Sequence, residues 1–229
     1  MVQTDLPEEV QYYLQKHKNE LLSQIILFNE LMNRYDSAIK EVTTKLEILK
    51  NDFQIHNNRD CITAIQARIK TPVSILKKIN KKGLPPNLDS IRHALNDVAG
   101  IRVICSYIDD IYMLADKLSA QDDIRILQIK DYIKHPKSNG YRSYHIIMEV
   151  PVFFSESKEL IRVEIQIRTV AMDFWASLEH DMKYKKDILS CEDIIKGLKE
   201  CADTIHQTDL RMMELRNQLS ETKEIGQIE

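Results

Sequence analysis

The sequence predicts an α+β fold, with one β-sheet in the middle of the chain and long helices at both ends. Segments 98–107, 125–133, 144–150 and 160–167 are rich in β-branched and aliphatic residues and predict four strands of one sheet. Apolar residues at helical spacing occupy both ends. The 229 residues, of which 43% are hydrophobic, suffice for one substantial core.

The N-terminal part predicts a long amphipathic helix. Pro7 and the two acids after it suit its start, because proline fits the first turn and acids oppose the positive end of the helix dipole. Lys18 breaks the apolar stripe and predicts a kink. The stripe advances by threes and fours through Leu14, Leu21, Ile25, Phe28, Met32, Tyr35, Ile39, Val42, Leu46, Leu49 and Phe53.

The C-terminal part predicts a second long helix with the same spacing. Asp209 and Arg216 interrupt its stripe, and Gly197 weakens a helix by about 1 kcal/mol. The stripe comprises Ile188, Cys191, Ile195, Leu198, Ala202, Ile205, Met212 and Leu219.

Further helices are predicted at 108–118 and 169–185, and another begins near Pro72. The Gly-Leu-Pro-Pro stretch at 83–86 ends that helix, and 136–140 must form a loop. These elements complete the α+β assignment.

Composition favours a cytoplasmic protein that does not bind a membrane. No run of about 18 apolar residues could span a bilayer, and residues 1–22 lack the order of an export signal. The four cysteines include no C-x-x-C pair and no histidine at zinc-finger spacing. This pattern favours reduced thiols over disulfides or a structural metal.

Basic residues are concentrated in two segments, although the formal charge is -3. Residues 59–82 contain seven basic side chains and one acid, and residues 125–145 contain five and one. Separate basic segments favour phosphate groups bound at defined positions, because a duplex-binding protein usually has a continuous basic surface. The alternative is two solvated lysine-rich surfaces.

The first basic segment contains a candidate clamp for a triphosphate. The free N–H groups of the helix that begins at Pro72 favour an anion. Ser74 and Lys78 share one face of this helix, one turn apart, while Arg68 and Lys70 precede it. The alternative is an ordinary basic helix start on the surface.

Asp97 and Arg102 flank the beginning of the first predicted strand. Their odd separation places the two side chains on opposite faces of a regular strand, unless Gly100 permits a bulge that re-aims one of them. Asp97 is a candidate magnesium ligand, because Mg²⁺ usually binds one or two carboxylates together with phosphate oxygens. The alternative role of Asp97 is a helix or strand cap.

Residues 131–145 form the densest run of polar, basic and aromatic side chains in the chain. Its Asn-Gly pair lets backbone approach a ligand, Tyr141 can stack on a base, and Lys137 and His145 can meet phosphates. An ordinary hairpin would explain the Asn-Gly pair but not the rest.

Strict alternation in 163–168 places Glu164, Gln166 and Arg168 on one face of the last strand. If that face is solvated, the pattern is ordinary. If it faces Asp97, the two carboxylates can share the work of holding a metal and removing a proton.

Together these segments resemble the synthetase domain of the RelA/SpoT family, in the stand-alone form of the RelP-like small alarmone synthetases. The resemblance covers roughly residues 61–186. Its most specific parts are DYIKHPKSNGYRSYH and VEIQIRT, and supporting matches lie at 68–78, 97–102 and 174–185.

The resemblance implies a nucleotidyltransferase-like mixed β-sheet flanked by helices, with long N- and C-terminal helices. It divides the chain into an N-terminal helical extension (1–58), a catalytic domain (59–187) and a C-terminal helical oligomerisation segment (188–229). Relatives form ring-like tetramers, so the apolar terminal helices are expected to mediate assembly into a homotetramer. No hydrolase segment or ribosome-sensing extension accompanies the match, so product degradation is not expected.

The implied reaction moves the β,γ-pyrophosphate of ATP to the ribose 3′-OH of GDP or GTP. It yields ppGpp or pppGpp and AMP in the stringent response, with Mg²⁺ as cofactor. Glu164 would activate the 3′-hydroxyl, Gln166 would lie near the metal, and Asp97 and Glu164 would bind it. The implied ATP-binding residues are Arg68, Lys70, Ser74, Lys78 and Arg102. The implied GDP- or GTP-binding residues are Lys130, Lys137, Asn139, Tyr141 and His145.

Asp173 carries a separate hypothesis. Its carboxylate can accept hydrogen bonds from the N1–H and 2-amino groups of guanine, a donor pair that adenine lacks. The alternative is an acid in the first turn of a helix.

The residues from Gln128 to Asp131, just before the loop, are intermediate between the basic and acidic versions of this motif in larger family members. Both GDP and GTP therefore stay open as acceptors.

The same residues are compatible with two other functions. One is a catalytically inactive regulator that binds guanine nucleotides or single-stranded RNA through Tyr141 and the basic segments. The other is a nucleotidyltransferase that transfers AMP and releases pyrophosphate. Asp97 and Glu164 argue against a pure binding protein, because carboxylates beside phosphate sites repel anionic ligands unless a metal is present.

Overall fold

The computed structural model describes residues 7, 12, 15–57, 59–185 and 192–225. Its strands are β1 (Ile62–Ile69), β2 (Ala99–Cys105), β3 (Arg125–Asp131), β4 (Tyr144–Phe153) and β5 (Lys158–Thr169). Its helices are α1 (Lys18–Asn57), α2 (Pro72–Lys81), α3 (Leu88–Ala94), α4 (Ile108–Ser119), α5 (Val170–Lys185) and α6 (Glu192–Ile225). Within this described part of the chain, no helix combines the length and apolarity needed to cross a bilayer.

The strands form one mixed sheet in the order β1-β2-β5-β4-β3. Only β2 and β5 run parallel, and the other neighbours are antiparallel. The prediction of a single mixed sheet is confirmed, but the prediction of four strands is wrong, because β1 adds a fifth. This strand lies at the sheet edge, and Ile62 is the one buried residue among its eight. Its polar and alanine residues therefore obscure the strand pattern.

One face of the sheet packs against α1. Val42 and Leu46 of this helix are fully buried in the same core as Ile101 and Ile165 of the central strands. The predicted boundary at residue 58 thus divides one continuous hydrophobic core. Replacing a residue such as Leu46 by alanine in such a core typically costs about 2–5 kcal/mol.

The start of α1 differs from its centre. A turn at His17 precedes the helix, in agreement with the predicted break at Lys18. Of the predicted helix start, Pro7 has no regular secondary structure, and the two acids after it lie outside the described residues, as does Leu14. Beyond the core, the apolar side chains of Ile25 and Ile26 are 55% and 58% exposed.

The two polar interruptions of the C-terminal stripe anchor α6 to the domain. Asp209 is 8% exposed, and its Oδ2 accepts a 2.6 Å hydrogen bond from the Thr169 hydroxyl. Arg216 donates two hydrogen bonds to Asp109 at the start of α4 and lies 4.6 Å from the ring centroid of Tyr107. Two predicted members of the stripe, Ile188 and Cys191, lie outside the described residues.

Candidate active site

Polar residues cross the sheet in a row on the face opposite α1. Residues paired across neighbouring strands point to the same face, so their side chains line one surface. The row consists of Gln66, Arg102, Gln166, His145 and Lys130.

The neighbouring row contains Arg68, Gly100 and Glu164. A Cβ atom at Gly100 would meet nothing closer than the Arg68 carbonyl oxygen at 3.7 Å. The missing side chain therefore leaves open space between the Arg68 guanidinium and the Glu164 carboxylate.

A cavity of about 680 Å³ lies over these rows. This volume is within the usual range of small-molecule sites. The predicted site residues that line it are Arg68, Asp97, Arg102, Lys137, Asn139, Tyr141, His145, Glu164 and Gln166. The structure thus brings together residues from β1, β2, β4, β5 and the loop before β4.

Five predicted site residues do not line this cavity. Lys70 and Lys78 contact Asp97, and Asp173 contacts Arg102 and Arg168, so these three lie directly behind the lining. The remaining two are Lys130 and Ser74. Lys130 is opposite His145 in the sheet register, and the Ser74 hydroxyl accepts a hydrogen bond from the Thr71 hydroxyl at the N-cap of α2.

Five lining residues of α5 were not predicted as site residues: Ala176, Ser177, Glu179, His180 and Asp181. Ser177, His180 and Asp181 are spaced three and four residues apart and therefore share one helix face. That spacing was the available signal, and it does not by itself indicate which way the face points.

The Asp97 carboxylate is paired with two lysines. Its Oδ2 lies 3.0 Å from the Lys70 ammonium and 2.7 Å from that of Lys78, whereas its buried Oδ1 has no hydrogen-bond partner. Burial raises the pKa of Asp97, but the two lysines outweigh burial and hold the pKa below its usual value. Asp97 is therefore ionised, with one oxygen available to a cation.

The prediction that alternation separates Asp97 from Arg102 is wrong. The strand β2 begins only at Ala99, so alternation does not apply to Asp97, and both side chains line the cavity. The alternative of a bulge at Gly100 does not apply either, because the register of β2 with both neighbours is continuous there.

Both oxygens of Glu164 have a polar nitrogen close by. Gln166 Nε2 donates to Oε2 at 3.0 Å, and His145 Nδ1 lies 3.3 Å from Oε1. Burial and the charge of Asp97 raise the pKa of Glu164, but the contacts with His145 and Gln166 outweigh them and lower it. Glu164 is thus an ionised carboxylate that faces the same cavity as Asp97.

His145 is 7% exposed, and both of its ring nitrogens are engaged. Nε2 lies 2.9 Å from the Tyr141 hydroxyl, and Nδ1 faces Glu164. Burial lowers the pKa of His145, although Glu164 partly offsets this effect. The ring is therefore oriented toward the carboxylate, whereas the resemblance implies a role at the acceptor phosphates.

Hydrogen bonds hold the loop before β4, residues 132–143, near both of its ends. Asp131 accepts hydrogen bonds from the N–H groups of Ile133 and Lys134. At the other end, Asn139 Nδ2 donates to Glu179 Oε1 at 2.9 Å. Gly140 has a φ of +88°, a value that favours glycine.

The aromatic rings of this loop surround the Lys137 ammonium. It lies 4.7 Å from the ring centroid of Tyr132 and 4.5 Å from that of Tyr141. Arg168 lies 5.3 Å from the same Tyr141 ring. Tyr141 is therefore bordered by two cations at the cavity wall.

The donor set fits a cation held jointly with phosphate oxygens. Among the residues that the structure describes, no three His, Cys, Asp or Glu side chains form a metal-binding group. Mg²⁺ does not need one, because it keeps waters and phosphate oxygens beside one or two carboxylates. The free Oδ1 of Asp97 and the nearby Glu164 carboxylate match that requirement.

A mixed sheet with two carboxylates among arginine and lysine side chains defines the class of protein: a nucleotidyltransferase-like domain with a cavity suited to phosphorylated nucleotides. The chain belongs to the RelA/SpoT family. Residues 67–188 match the region found in RelA / SpoT proteins.

Individual relatives agree with this membership. The chain is 38% identical to the GTP pyrophosphokinase YwaC of Bacillus subtilis, over 83% of this chain and 90% of that protein. It is 32% identical to the GTP pyrophosphokinase YjbM of the same organism, over 82% and 88%. The crystal structure of small alarmone synthetase 1 from Bacillus subtilis, bound to its product pppGpp, superimposes with a TM-score of 0.76 at 31% identity, over 85% of this chain and 98% of that one.

Proposed function

We propose that this protein is a (p)ppGpp synthetase that transfers the β,γ-pyrophosphate of ATP to the ribose 3′-OH of GDP or GTP and releases AMP. The observation that carries the proposal is the position of Asp97 and Glu164, two ionised carboxylates on one cavity among arginine and lysine side chains. The family membership supports the same activity. GTP pyrophosphokinase relatives and a product-bound small alarmone synthetase match most of the chain.

ATP is proposed to bind at the β1–β2 side of the cavity. The guanidinium groups of Arg68 and Arg102 can stack on the two faces of adenine. Lys70 and Lys78 then bind the phosphates beside Asp97, and Ser74 at the start of α2 adds a hydroxyl next to free helix N–H groups. This assignment keeps the predicted ATP-binding residues on one side of Glu164.

The acceptor nucleotide is proposed to bind at the loop and β4. Tyr141 offers its ring for stacking on guanine, Asn139 lies beside it, and Lys137 adds a positive charge. Lys130 can reach acceptor phosphates from the sheet edge. His145 contributes through its contact with Glu164, since neither ring nitrogen is left for a phosphate.

In the proposed reaction, Glu164 accepts the proton of the 3′-hydroxyl as the oxygen attacks the β-phosphorus of ATP. The bond between that phosphorus and the oxygen that bridges it to the α-phosphate breaks, and AMP leaves with the electron pair. Mg²⁺, when bound, neutralises charge on the phosphate oxygens. Asp97 and Glu164 are the proposed magnesium-binding residues, while Lys70 and Lys78 hold the phosphates in line.

A homotetrameric, cytoplasmic enzyme of the stringent response is the wider proposal. The exposed apolar residues at the start of α1, including Leu22 at 47% and Ile25 at 55%, support self-association. Binding of single-stranded RNA stays a prediction. The two carboxylates disfavour a pure binding protein, and the named activity of the relatives disfavours an AMP-transferring enzyme.

The proposal is tested by incubating the protein with Mg²⁺, labelled ATP and either GDP or GTP. We expect labelled ppGpp or pppGpp together with AMP from the wild type, and nearly none from Glu164→Gln, which retains the shape of the side chain without the charge. Glu156→Gln, at an exposed position away from the cavity, serves as the matched control. Release of pyrophosphate in place of AMP would identify an AMP-transferring enzyme, and nucleotide binding without product would identify a binding protein.

A further inference from the structure

The buried side chain of Arg168 donates hydrogen bonds to four different residues. It is 4% exposed and has no role in the function proposed above. Its Nη2 lies 2.8 Å from the Tyr141 hydroxyl and 2.9 Å from Gln166 Oε1. Its Nη1 lies 2.9 Å from Asp173 Oδ1, and its Nε lies 3.4 Å from Ser143 Oγ.

A guanidinium can donate hydrogen bonds but cannot accept them, and this fact sets the direction of the neighbouring bonds. The Tyr141 oxygen accepts from Arg168, so the single phenolic hydrogen is free to point at His145 Nε2, 2.9 Å away. Nε2 is then an acceptor and carries no hydrogen. A neutral imidazole must carry its hydrogen on the other nitrogen, so Nδ1–H points toward Glu164 Oε1, which lies 3.3 Å from Nδ1.

The same restriction applies to Gln166. Its Oε1 accepts from Arg168, so its amide NH₂ must point the other way, where Nε2 donates to Glu164 Oε2 at 3.0 Å. With the amide reversed, an NH₂ group would face the guanidinium and an oxygen would face the carboxylate, and both contacts would repel. Each oxygen of Glu164 therefore faces a donor nitrogen, and the orientation of both donors is set by the Arg168 guanidinium.

We infer that Arg168 is a positioning residue that holds His145 in the Nδ1–H tautomer and Gln166 with its amide toward Glu164. Its role rests on the proposed function, in which Glu164 accepts the proton of the 3′-hydroxyl. Arg168 acts through Tyr141, His145 and Gln166, which aim donors at the carboxylate from two sides. The carboxylate is thereby held in one orientation, which proton transfer to an oriented base requires.

The hydrogen-bond direction is measured by ¹⁵N NMR of the histidine rings in the full-length protein. The His145 signals are assigned by their loss in His145→Asn. In the wild type we expect a protonated Nδ1 and an unprotonated Nε2. In Arg168→Met, which removes every donor, we expect a mixture of the two tautomers, whereas Arg168→Lys, whose ammonium also only donates, retains the wild-type pattern.

Two further variants distinguish loss of the hydrogen-bond direction from a general loss of folding caused by removing a buried arginine. Tyr141→Phe keeps the ring and the arginine but removes the hydroxyl between Arg168 and His145, so it should give the same mixture of tautomers. Arg162→Met removes a partly buried arginine from the same face of β5, where it contacts Glu149 and the His93 carbonyl outside the cavity. This control should leave the His145 spectrum unchanged.

Kinetics supply the second readout. Arg168→Met should lower kcat by about tenfold to a hundredfold, the usual effect of losing a charged hydrogen bond, with a smaller change in the KM for ATP. Wild-type tautomers in both Arg168→Met and Tyr141→Phe would overturn the inference, as would a tautomer shift without a fall in kcat below that of Arg162→Met. If the wild type makes no product, only the proposed function is contradicted. The NMR spectrum still tests the hydrogen-bond direction, because it does not require turnover.

Discussion

The ammonium group of Lys78 and the carboxylate of Asp97 form an ion pair, with 2.7 Å between Nζ and Oδ2. The proposed phosphate-binding residue and the proposed metal-binding residue are therefore in direct contact. Lys70 adds a second ammonium to the same oxygen at 3.0 Å. One cluster thus joins the end of β1, the helix α2 and the segment that precedes β2.

The first prediction concerns this cluster. Lys78→Met removes one of the charges that can hold the ATP phosphates, so the KM for ATP should rise about tenfold, as expected for one charged hydrogen bond at a partly exposed site. Steady-state kinetics with varied ATP measure the change. Lys77→Met, the exposed neighbour on the same helix, is the control. An unchanged KM for ATP in Lys78→Met would remove Lys78 from the proposed phosphate site.

The second prediction opposes the hypothesis that Asp173 recognises guanine. Its Oδ1 lies 2.9 Å from Arg168 Nη1 and 3.2 Å from Arg102 Nη1, and the residue does not line the cavity. We therefore expect Asp173→Ala to leave the preference for GDP over ADP unchanged. The same change should lower the free energy of unfolding by about 2 kcal/mol, because two guanidinium groups lose a common acceptor.

Calorimetric binding of GDP and ADP, together with chemical denaturation, tests both halves of this expectation. Asp173→Asn retains an oxygen acceptor without the charge and should lose less stability than the alanine variant. A selective loss of GDP binding in the alanine variant would restore the guanine hypothesis.

The third prediction compares two glycines. A Cβ atom on Gly140 would lie 2.5 Å from Ala202 Cβ and 3.1 Å from Lys199 Cα, at a φ of +88°. Gly140→Ala should therefore separate the loop from α6 and cost about 1–2 kcal/mol from the backbone conformation alone, with a fall in acceptor-nucleotide affinity. Gly197→Ala, with nothing within 4 Å of its Cβ, should stabilise α6 by about 0.5–1 kcal/mol.

Thermal denaturation and GDP titration of these two variants provide the measurement. Equal effects of the two alanines on stability would contradict the close packing of the loop on α6.

The fourth prediction concerns Asp209 and pH. Burial raises the pKa of this carboxyl above 3.8, although the hydrogen bond from Thr169 partly opposes the rise. A raised pKa in the folded state means that the stability contribution is complete below pH 3.8 and is lost as the pH rises through the folded pKa. Asp209→Asn keeps the acceptor for Thr169 and avoids this loss, so it should be more stable than the wild type at neutral pH.

Urea denaturation from pH 3 to 7 gives the difference in unfolding free energy between the two proteins. The advantage of the asparagine should grow as pH increases through this window. Asp193→Asn, an exposed acid on the same helix, controls for the loss of one charge. A constant difference across the window would show that Asp209 does not titrate with a raised pKa.

Local patterns accounted for much of the fold and for the position of most site residues. Alternation placed Glu164, Gln166 and Arg168 on one face of β5, and that face does line the cavity. Periodicity located both terminal helices. These predictions succeeded because residues two apart in a strand, or three and four apart in a helix, share a face whatever the rest of the chain does.

The sequence by itself determined which side chains share a face and which residue types are available for phosphate and metal chemistry. Only the tertiary structure decided what each face meets. Asp209 and Arg216, which interrupt the apolar stripe, hold α6 to the domain through Thr169 and Asp109. Asp173 contacts two arginines. Strand order and register bring such distant partners together, and a pattern confined to neighbouring residues contains no information about them.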